Sequence, residues 1–184
     1  MDAAAIIETL TPVVPGATYE VGKSVDFATI YVPASQIVPT CFALRDTPAL
    51  RFSTIIEVTA ADYFPRAPRF EVVYHLLSIA NRLRLRLKVR VGDGETVPTV
   101  QPVWPGAGWP EREVWDMFGI IFEGHGDLRR LLMPEDWEGH PARKDYPVQI
   151  KKAAQVYEPL EISEDEFRAN LVRDRGGRGG PKAQ

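Results

Sequence analysis

Residues 82–91 alternate strictly between basic and aliphatic side chains, and this pattern restricts the local structure more than any other feature of the chain. The basic positions are Arg82, Arg84, Arg86, Lys88 and Arg90, and the aliphatic positions are Leu83, Leu85, Leu87, Val89 and Val91. Because successive side chains of a β-strand point to opposite faces, a period of two predicts a strand with one apolar and one cationic face. Five like charges on one face repel each other, so we expect either a solvated outer face or a face docked against an acidic partner.

The composition limits the classes of protein to which the chain can belong. Its 45% of hydrophobic and 26% of charged residues are those of an ordinary globular protein. A net charge of −3 gives no general attraction to nucleic acid or to anionic lipid. Cys41 is the only cysteine, which excludes an internal disulfide and a cysteine-ligated zinc site or iron–sulfur cluster held by this chain alone.

No segment of the sequence has the pattern of a targeting or membrane-spanning segment. The residues that follow Asp2 lack the basic character of a secretory signal. The longest uncharged stretch, residues 27–44, is interrupted by Pro33 and Pro39, which is not typical of a spanning helix. We therefore expect any membrane association to come through partner proteins.

Hydrophobic periodicity and turn residues predict an α+β fold, with a mostly antiparallel sheet, a few packing helices and an extended C-terminal tail. The predicted helices cover residues 3–10, 33–46 and 109–119. The predicted strands cover residues 26–32, 52–59, 70–78 and 82–91, with a proline-interrupted edge strand at 97–104. In the third helix, Val114 and Phe118 share one face, and Arg112 and Asp116 have the i,i+4 spacing of an ion pair.

The chain changes character near residue 150, so we expect one α+β domain over residues 1–150 and a partner-docking tail over 151–184. Residues 148–162 are predicted to be extended. Ser163 and Glu166 have the spacing of a capping box, and Ile162 and Phe167 that of a hydrophobic staple. The short helix that they begin needs a surface to lie on. The Arg-Gly-Gly units from Arg175 onward are expected to be flexible.

The familiar arrangements of catalytic residues are not found in this sequence. Glu111 and Glu113 are two residues apart on a helix and point away from each other, so they cannot share a proton. Glu113 and Asp116 do share a face, but a structural role explains them. His125, Asp127 and His140 match no compact metal-ligand spacing.

The other three classes of site are also not favoured. No glycine-rich loop joins a strand to a helix as a phosphate-binding loop would, and no Ser or Cys nucleophile has local support. The basic strand has no aromatic side chains between its cations, which argues against nucleic-acid binding. The sequence thus predicts no catalytic, cofactor-binding or metal-binding residue on this chain.

Residues 111–147 are dense in charge, with nine acidic and five basic side chains among large apolar ones. Such a segment stays ordered only if its charges are paired and its aromatic side chains are packed, so we interpret it as a recognition surface. Its pattern begins Glu-Arg-Glu, continues with an acidic and two apolar residues, and then has His, Arg and two aliphatic residues. The matching residues are Glu111, Arg112, Glu113, Asp116, Met117, Phe118, His125, Arg129, Leu131 and Leu132.

This segment closely resembles the C-type subunit of the proton-pumping NADH–quinone oxidoreductases, respiratory complex I. The residues at 138–141 and 143–147 also match, as do Asp62-Tyr63 and the stretch Arg69 to Ser78 upstream. The resemblance covers about residues 50–150. Gly126 departs from it, since the family usually has proline there, and this loosens the turn before Asp127.

The resemblance implies a cofactor-free structural subunit of the hydrophilic arm, peripheral on the cytoplasmic side of the cell membrane. NAD, FMN, iron–sulfur clusters and quinone would be bound by partner subunits, and the chain would pack beside the D-type subunit, which holds the quinone site, and the iron–sulfur subunits. Fold-fixing ion pairs and subunit contacts would be made by the following residues, which we call the signature residues: Glu111, Arg112, Glu113, Asp116, Met117, Phe118, His125, Asp127, Arg129, Arg130, His140, Arg143, Lys144, Asp145 and Tyr146.

Two alternatives remain open at the level of sequence. The same scaffold occurs in membrane-bound hydrogenases and in ferredoxin- or F420-linked dehydrogenases, which use another electron donor. A stand-alone metal-dependent enzyme that uses His125 and His140 is the other alternative, and a metal analysis of the purified protein tests it.

Overall fold

A computed structural model describes residues 1–147 and 163–176, and a five-stranded sheet lies at the centre of the first of these ranges. Its strands are β1 (Glu20–Val21), β2 (Ala28–Tyr31), β3 (Thr54–Asp62), β4 (Phe70–Ser78) and β5 (Leu83–Val91), in the order β1-β2-β5-β4-β3. Within this sheet β2 and β5 pair in parallel, and the other three pairings are antiparallel. The predicted fold class, α+β with a mostly antiparallel sheet, is confirmed. Strands β6 (Thr96–Pro98) and β7 (Ile121–Glu123) form a separate parallel pair.

The helices lie where the sequence predicts them. They are α1 (Ala3–Leu10), α2 (Ile37–Asp46), α3 (Gly108–Phe118) and α4 (Glu164–Gly176), and short 3₁₀ turns at Ala34–Gln36 and Pro105–Ala107 precede α2 and α3. Asp2 caps α1 by accepting a hydrogen bond from the Ala5 N–H at 2.9 Å. Gly119 ends α3 in the left-handed conformation, with φ of 77°, which glycine adopts without strain.

The core lies between one face of the sheet and the first three helices. Alternate side chains of β4 and β5 enter it, because the period of two turns every second residue to the same face. The buried cluster includes Val72, Tyr74, Leu76, Leu85, Leu87 and Val89 of the sheet, Ile6 of α1, Leu44 of α2 and Val114 of α3. Val114 and Phe118 of α3 both contact this core, as their shared face predicts.

Three of the four cations of β5 are paired with carboxylates of the same chain, which neither sequence-based interpretation anticipated. Its three ion pairs are Arg86–Asp26 at 2.9 Å, Lys88–Glu71 at 2.9 Å and Arg90–Glu20 at 2.7 Å. Arg84 has a different neighbour, since its guanidinium lies 5.8 Å from the ring centre of Phe27. The acidic partners come from β1, from β4 and from the residues before β2. This face therefore does not need an acidic partner protein to compensate its charge.

The predicted edge strand at 97–104 is wrong beyond Pro98. The backbone N–H of Val100 donates to the carboxylate of Glu111 at 2.8 Å instead of to a neighbouring strand. The chain then turns, and the N–H groups of Val103 and Trp104 both donate to the carbonyl of Val100 at 3.0 Å. A buried side chain from α3 thus replaces the strand partner, which a hydrophobic pattern does not reveal.

Helix α4 belongs to a second unit of the chain and is described by itself. The predicted capping box is present: the N–H of Glu166 donates to Oγ of Ser163 at 3.2 Å, and the N–H of Ser163 donates to the Glu166 carboxylate at 3.3 Å. Arg175 and Gly176, predicted as part of the flexible end, are its last residues. Residues 148–162 and 177–184, which include Ile162 of the predicted staple, lie outside the described residues. None of the helices in the described ranges is long and apolar enough to cross a membrane.

The pairing of β5 with its acidic neighbours predicts a difference between two glutamates. The Glu71 side chain is 6% exposed and accepts from Lys88 and Tyr31, whereas the Glu20 side chain is 60% exposed. We expect Glu71→Gln to lower the free energy of unfolding by about 1.5–3 kcal/mol, because it leaves a half-buried ammonium without its counter-ion. The matched variant Glu20→Gln should have little effect. Urea unfolding of the purified chains measures both, and equal losses would contradict the assignment.

Candidate functional site

Helix α3 carries the first signature residues, and it turns three of their charged groups inward. Glu111 and Asp116 are fully buried, Arg112 is nearly so, and Glu113 is exposed. Glu111 and Glu113 point away from each other, as predicted. Glu113 and Asp116 are separated as well, since one faces water and the other the interior. Buried charges are tolerated only with partners, so each inward group must be matched by donors or acceptors from elsewhere in the chain.

Asp116 binds the backbone of residues 131–133, which follow β7 in the chain. Its Oδ2 accepts the backbone N–H groups of Leu131, Leu132 and Met133 at 2.7–2.9 Å, and its Oδ1 accepts from Arg130 at 2.9 Å. Burial opposes ionisation of this carboxyl, but the four donors outweigh it and lower the pKa of Asp116. One carboxylate thus satisfies three consecutive N–H groups that have no helix or sheet partner.

Arg130, the ion-pair partner of Asp116, also binds the backbone of residues 137–139. Besides Asp116, it donates to the carbonyl of Trp137 at 2.7 Å and to that of Gly139 at 2.9 Å. The Asp116 carbonyl receives Arg130 at 3.2 Å and lies 2.9 Å from Nδ1 of His140. Residues 130–140 are therefore held by one partly buried guanidinium, whose planar fork supplies several donors at once.

The predicted ion pair between Arg112 and Asp116 is wrong. Arg112 donates to the carbonyls of Arg129 and Arg130 at 2.7 and 2.6 Å, and to the carboxylate of Asp127 at 3.3 Å. The two side chains do share a face of α3, as the spacing requires. Both side chains instead bind the irregular backbone of residues 127–133. Arg112 donates to carbonyls there and Asp116 accepts from N–H groups, because these backbone groups have no partner in a helix or strand.

Glu111 joins α3 to the end of β6. Its two carboxylate oxygens accept from Oγ1 of Thr99 and from the N–H of Val100. Burial raises the pKa of Glu111, against the two hydrogen bonds and the nearby His125, which act to lower it. Both oxygens of this carboxyl therefore accept hydrogen bonds from the chain itself.

Both ring nitrogens of His125 contact the backbone. Nδ1 accepts from the N–H of Asp127 at 3.0 Å, so the neutral ring carries its proton on Nε2, which lies 2.9 Å from the carbonyl of Gly108. The contact with Asp127 holds the turn at Gly126. Within residues 1–147 and 163–176 no three His, Cys, Asp or Glu side chains are grouped as metal ligands would be. Metal binding by His125 would have to displace these backbone contacts.

A second cluster surrounds Arg69, at the start of β4. Arg69 makes a two-pronged contact with Asp62 at 3.0 and 2.8 Å, and it also donates to Asp93 at 2.9 Å and to Asp145 at 2.6 Å. Arg143 contacts Asp93 as well. Asp62 further accepts the N–H of Lys144 at 2.8 Å. Signature residues 143–145 are thereby fastened to the end of the β3–β4 hairpin.

Sequence reasoning missed three members of this cluster as site residues. Asp62 and Arg69 lie in the stretch that resembles the family, but no spacing rule connects them to Asp145, which is 76 residues from Arg69. Asp93 stands between two glycines in the sequence Gly92-Asp93-Gly94. Nothing in the local pattern distinguishes it from an ordinary turn residue.

Backbone contacts complete the packing of 138–146. The Tyr146 hydroxyl donates to the carbonyl of Glu138 at 3.0 Å, and the N–H of Ala142 donates to the carbonyl of Met117 at 3.0 Å. A Cβ on Gly119 would lie 2.5 Å from the His140 ring. Gly119 therefore serves both the end of α3 and the close approach of His140.

Most of the signature residues make contacts within the chain, and five of the fifteen are exposed. Those that fix the fold are Glu111, Arg112, Asp116, Met117, Phe118, His125, Arg130, His140, Arg143, Asp145 and Tyr146. Glu113, Arg129 and Lys144 are exposed, and so are Asp127 and Asp145, although both aspartates are paired with arginines. The exposed group is the part available to a partner.

Comparison with known proteins agrees with the motifs. A family model described as the 30 kDa subunit of respiratory-chain NADH dehydrogenase matches residues 30–152. A protein of Roseiflexus sp. (strain RS-1), named as the C-type subunit of NADH-quinone oxidoreductase, is 46% identical over 155 residues, which cover 84% of this chain and 89% of the relative. A protein of Rhizobium meliloti (strain 1021), the second C-type subunit by its name, is 48% identical over 133 residues, which cover 72% of this chain and 73% of the relative. A mitochondrial NADH dehydrogenase [ubiquinone] iron-sulfur protein 3 of Candida albicans is 44% identical over 147 residues, which cover 76% and 53%.

The geometry around Asp116 predicts a large loss of stability from a small change. Asp116→Asn keeps the size of the side chain but removes the charge that faces Arg130 and replaces one acceptor by a donor. We expect the free energy of unfolding to fall by about 3–5 kcal/mol. The matched variant Glu113→Gln, one turn away and exposed, should unfold like the wild type. Chemical denaturation of the purified chains tests this, and an unchanged midpoint for Asp116→Asn would refute it.

The Arg69 cluster predicts how stability depends on pH. Hydrogen bonds from Arg69, helped by the N–H groups of Lys144 and Phe64 against burial, hold the pKa of Asp62 well below its ordinary value. A lowered folded-state pKa stabilises the protein above the unfolded value, about pH 4, and this stabilisation is lost as the pH falls below it.

We therefore expect Asp62→Asn to lower stability at pH 7 and to flatten its decline between about pH 5 and pH 2. Unfolding measured across this range provides the test. Asp136→Asn, which removes an exposed carboxylate, should keep the wild-type profile. A wild-type profile for Asp62→Asn would show that Asp62 is not the group responsible.

Proposed function

Because the chain belongs to the 30 kDa subunit family of respiratory-chain NADH dehydrogenases, which includes the C-type subunits of the NADH–quinone oxidoreductases, we propose that it is a structural subunit of such an enzyme. In this role it binds no cofactor and catalyses no step by itself. It holds neighbouring subunits in place, and electron transfer from NADH to quinone, coupled to proton translocation, takes place on those neighbours.

The observation that carries the proposal is the direction in which the charged signature residues point. Glu111, Arg112, Asp116 and Arg130 contact the chain's own backbone and one another, so they are not directed at a substrate. Cys41, the single cysteine, is buried, and burial raises the pKa of its thiol, which opposes the thiolate form that metal clusters need. Iron–sulfur clusters therefore belong to partner subunits in this proposal.

We infer that the partners are the D-type subunit that holds the quinone site and the iron–sulfur subunits of the hydrophilic arm, on the cytoplasmic side of the membrane. The family supports this inference, and so does the division of the signature residues. A scaffold subunit needs a rigid interior and a limited set of exposed contact groups, and this chain has both. The alternative donors, hydrogen, reduced ferredoxin or F420, would give a different set of partners.

The decisive experiment is affinity isolation of the tagged full chain from gently solubilised membranes. Mass spectrometry identifies the retained subunits, and NADH–quinone oxidoreductase activity is measured on the eluate. Recovery of the quinone-site and iron–sulfur subunits with NADH oxidation supports the proposal. Recovery of hydrogenase or ferredoxin-linked subunits assigns the chain to those relatives, and a lone protein with bound metal assigns it to the metal-dependent enzymes.

The internal role of Arg112 predicts an effect on the amount of assembled enzyme and not on its chemistry. We expect Arg112→Ala to reduce assembled enzyme several-fold, because carbonyls of the 127–133 segment lose their donors and the chain is less stable. The KM for NADH of the enzyme that does assemble should stay at the wild-type value. Lys23→Ala, which removes an exposed cation, serves as the control. Normal assembly with an altered KM would overturn the structural role.

A further inference from the structure

The loop between β3 and β4 is exposed, and its side chains take no part in the ion pairs around Asp116 and Arg69. All six residues from 63 to 68 are exposed, and two of them are aromatic. Tyr63 is 39% exposed and Phe64 is 53% exposed. We call residues 63–68, together with Lys144, the hairpin tip. Aromatic side chains and arginine are enriched in protein-binding surfaces relative to the rest of the protein surface.

The hairpin tip is held in one conformation by the cluster beneath it. The N–H of Tyr63 donates to the carbonyl of Arg69 at 2.9 Å, and the N–H of Phe64 donates to the Asp62 carboxylate at 2.9 Å. The guanidinium of Arg69 lies 5.0 Å from the ring centre of Phe64, so the buried cation supports the exposed ring. An aromatic side chain that is already ordered loses little entropy on binding, which favours its use as an anchor.

The hairpin tip also carries cations that the chain does not neutralise. Arg66 and Lys144 are exposed, and neither has a carboxylate partner among residues 1–147 and 163–176. Arg66 lies 5.5 Å from the ring centre of Tyr63, which orients it beside the aromatic pair. The neighbouring cations Arg69 and Arg143 are paired with Asp62, Asp93 and Asp145. In a chain of net charge −3, this leaves a small cationic and aromatic surface.

We propose that the hairpin tip docks onto an acidic face of another protein subunit, with Phe64 entering an apolar pocket and Arg66 and Lys144 meeting carboxylates at its rim. The inference rests on the proposed function for the existence of such a partner. The residue types of the hairpin tip favour a protein as the partner, because aromatic side chains and arginine dominate the energetically important centres of protein interfaces. An anionic membrane is disfavoured, because lipid-binding segments typically present clusters of about four to eight cations and the tip presents two that are unpaired.

Site-specific cross-linking in the assembled enzyme identifies the occupant directly. A photoreactive phenylalanine analogue is placed at position 64 of the tagged full chain, the complex is isolated and irradiated, and the cross-linked peptides are sequenced. The expected product joins position 64 to a subunit peptide rich in Asp and Glu. Cross-links to lipid alone, or to no other molecule, would overturn the proposal.

Charge reversal measures how much the tip contributes to retention in the complex. We expect the double variant Arg66→Glu with Lys144→Glu, and separately Phe64→Ala, to lower the yield of partner subunits by at least about tenfold. Lys23→Glu and Ile79→Ala change an exposed cation and an exposed apolar residue elsewhere, Ile79 at the opposite end of β4, and should leave the yield unchanged.

The unfolding midpoint of each variant separates binding from folding. The charge-reversal variant alters only exposed side chains and should unfold like the wild type, so it decides the question even if Phe64→Ala weakens the Arg69 cluster. If the wild-type chain retains the oxidoreductase subunits and the charge-reversal variant retains them equally well, this inference fails and the proposed function stands. If the wild-type chain retains none of them, the proposed function itself fails.

Discussion

The structure between residues 127 and 147 depends on two aspartates that bind backbone N–H groups. Asp116 accepts from three consecutive residues of this segment, and Asp62 accepts from Lys144. The segment contains neither helix nor strand, so its backbone groups have no regular partners. Hydrogen bonds to a charged acceptor are stronger than those between neutral groups. These carboxylates supply the acceptors that backbone carbonyls supply in a helix or a sheet. Each is in turn held by an arginine, Arg130 or Arg69.

The two clusters secure opposite parts of one segment, and this determines which charges remain for other molecules. Arg130 fixes the segment near its start to α3, and Asp145 fixes it near its end to the β3–β4 hairpin. Most of its charged side chains are therefore engaged inside the chain. The cationic face of β5 follows the same rule, since Asp26, Glu71 and Glu20 neutralise three of its members. Within this segment Glu135, Asp136, Glu138 and Lys144 are exposed and have no ion pair among the described residues, so their charges remain for water or for another molecule.

Local pattern predicted most of the elements, and long-range geometry accounts for what it missed. The bounds of β4 match the prediction and those of β5 differ by one residue, because alternation is a property of neighbouring residues. The i,i+4 rule failed for Arg112 and Asp116 because it considers only neighbours on the helix surface and not a loop that competes for both. The contact between Arg69 and Asp145 spans 76 residues, and no periodicity connects them. The resemblance to a family identified the stretches that contain Arg69 and Asp145, but it could not show that these two residues are in contact.

The irregular backbone of this segment accounts for much of its high density of charge. Well-packed apolar side chains can often replace a buried ion pair without loss of stability. That replacement is not open to Asp116 and Arg130, because it would leave three N–H groups at 131–133 and the carbonyls of Trp137 and Gly139 without their partners in the chain. Side chains that offer several donors or acceptors at once can order such a backbone, and arginine and aspartate do so here. The charged signature is therefore needed for the shape of the chain itself, since the backbone of residues 127–147 depends on it.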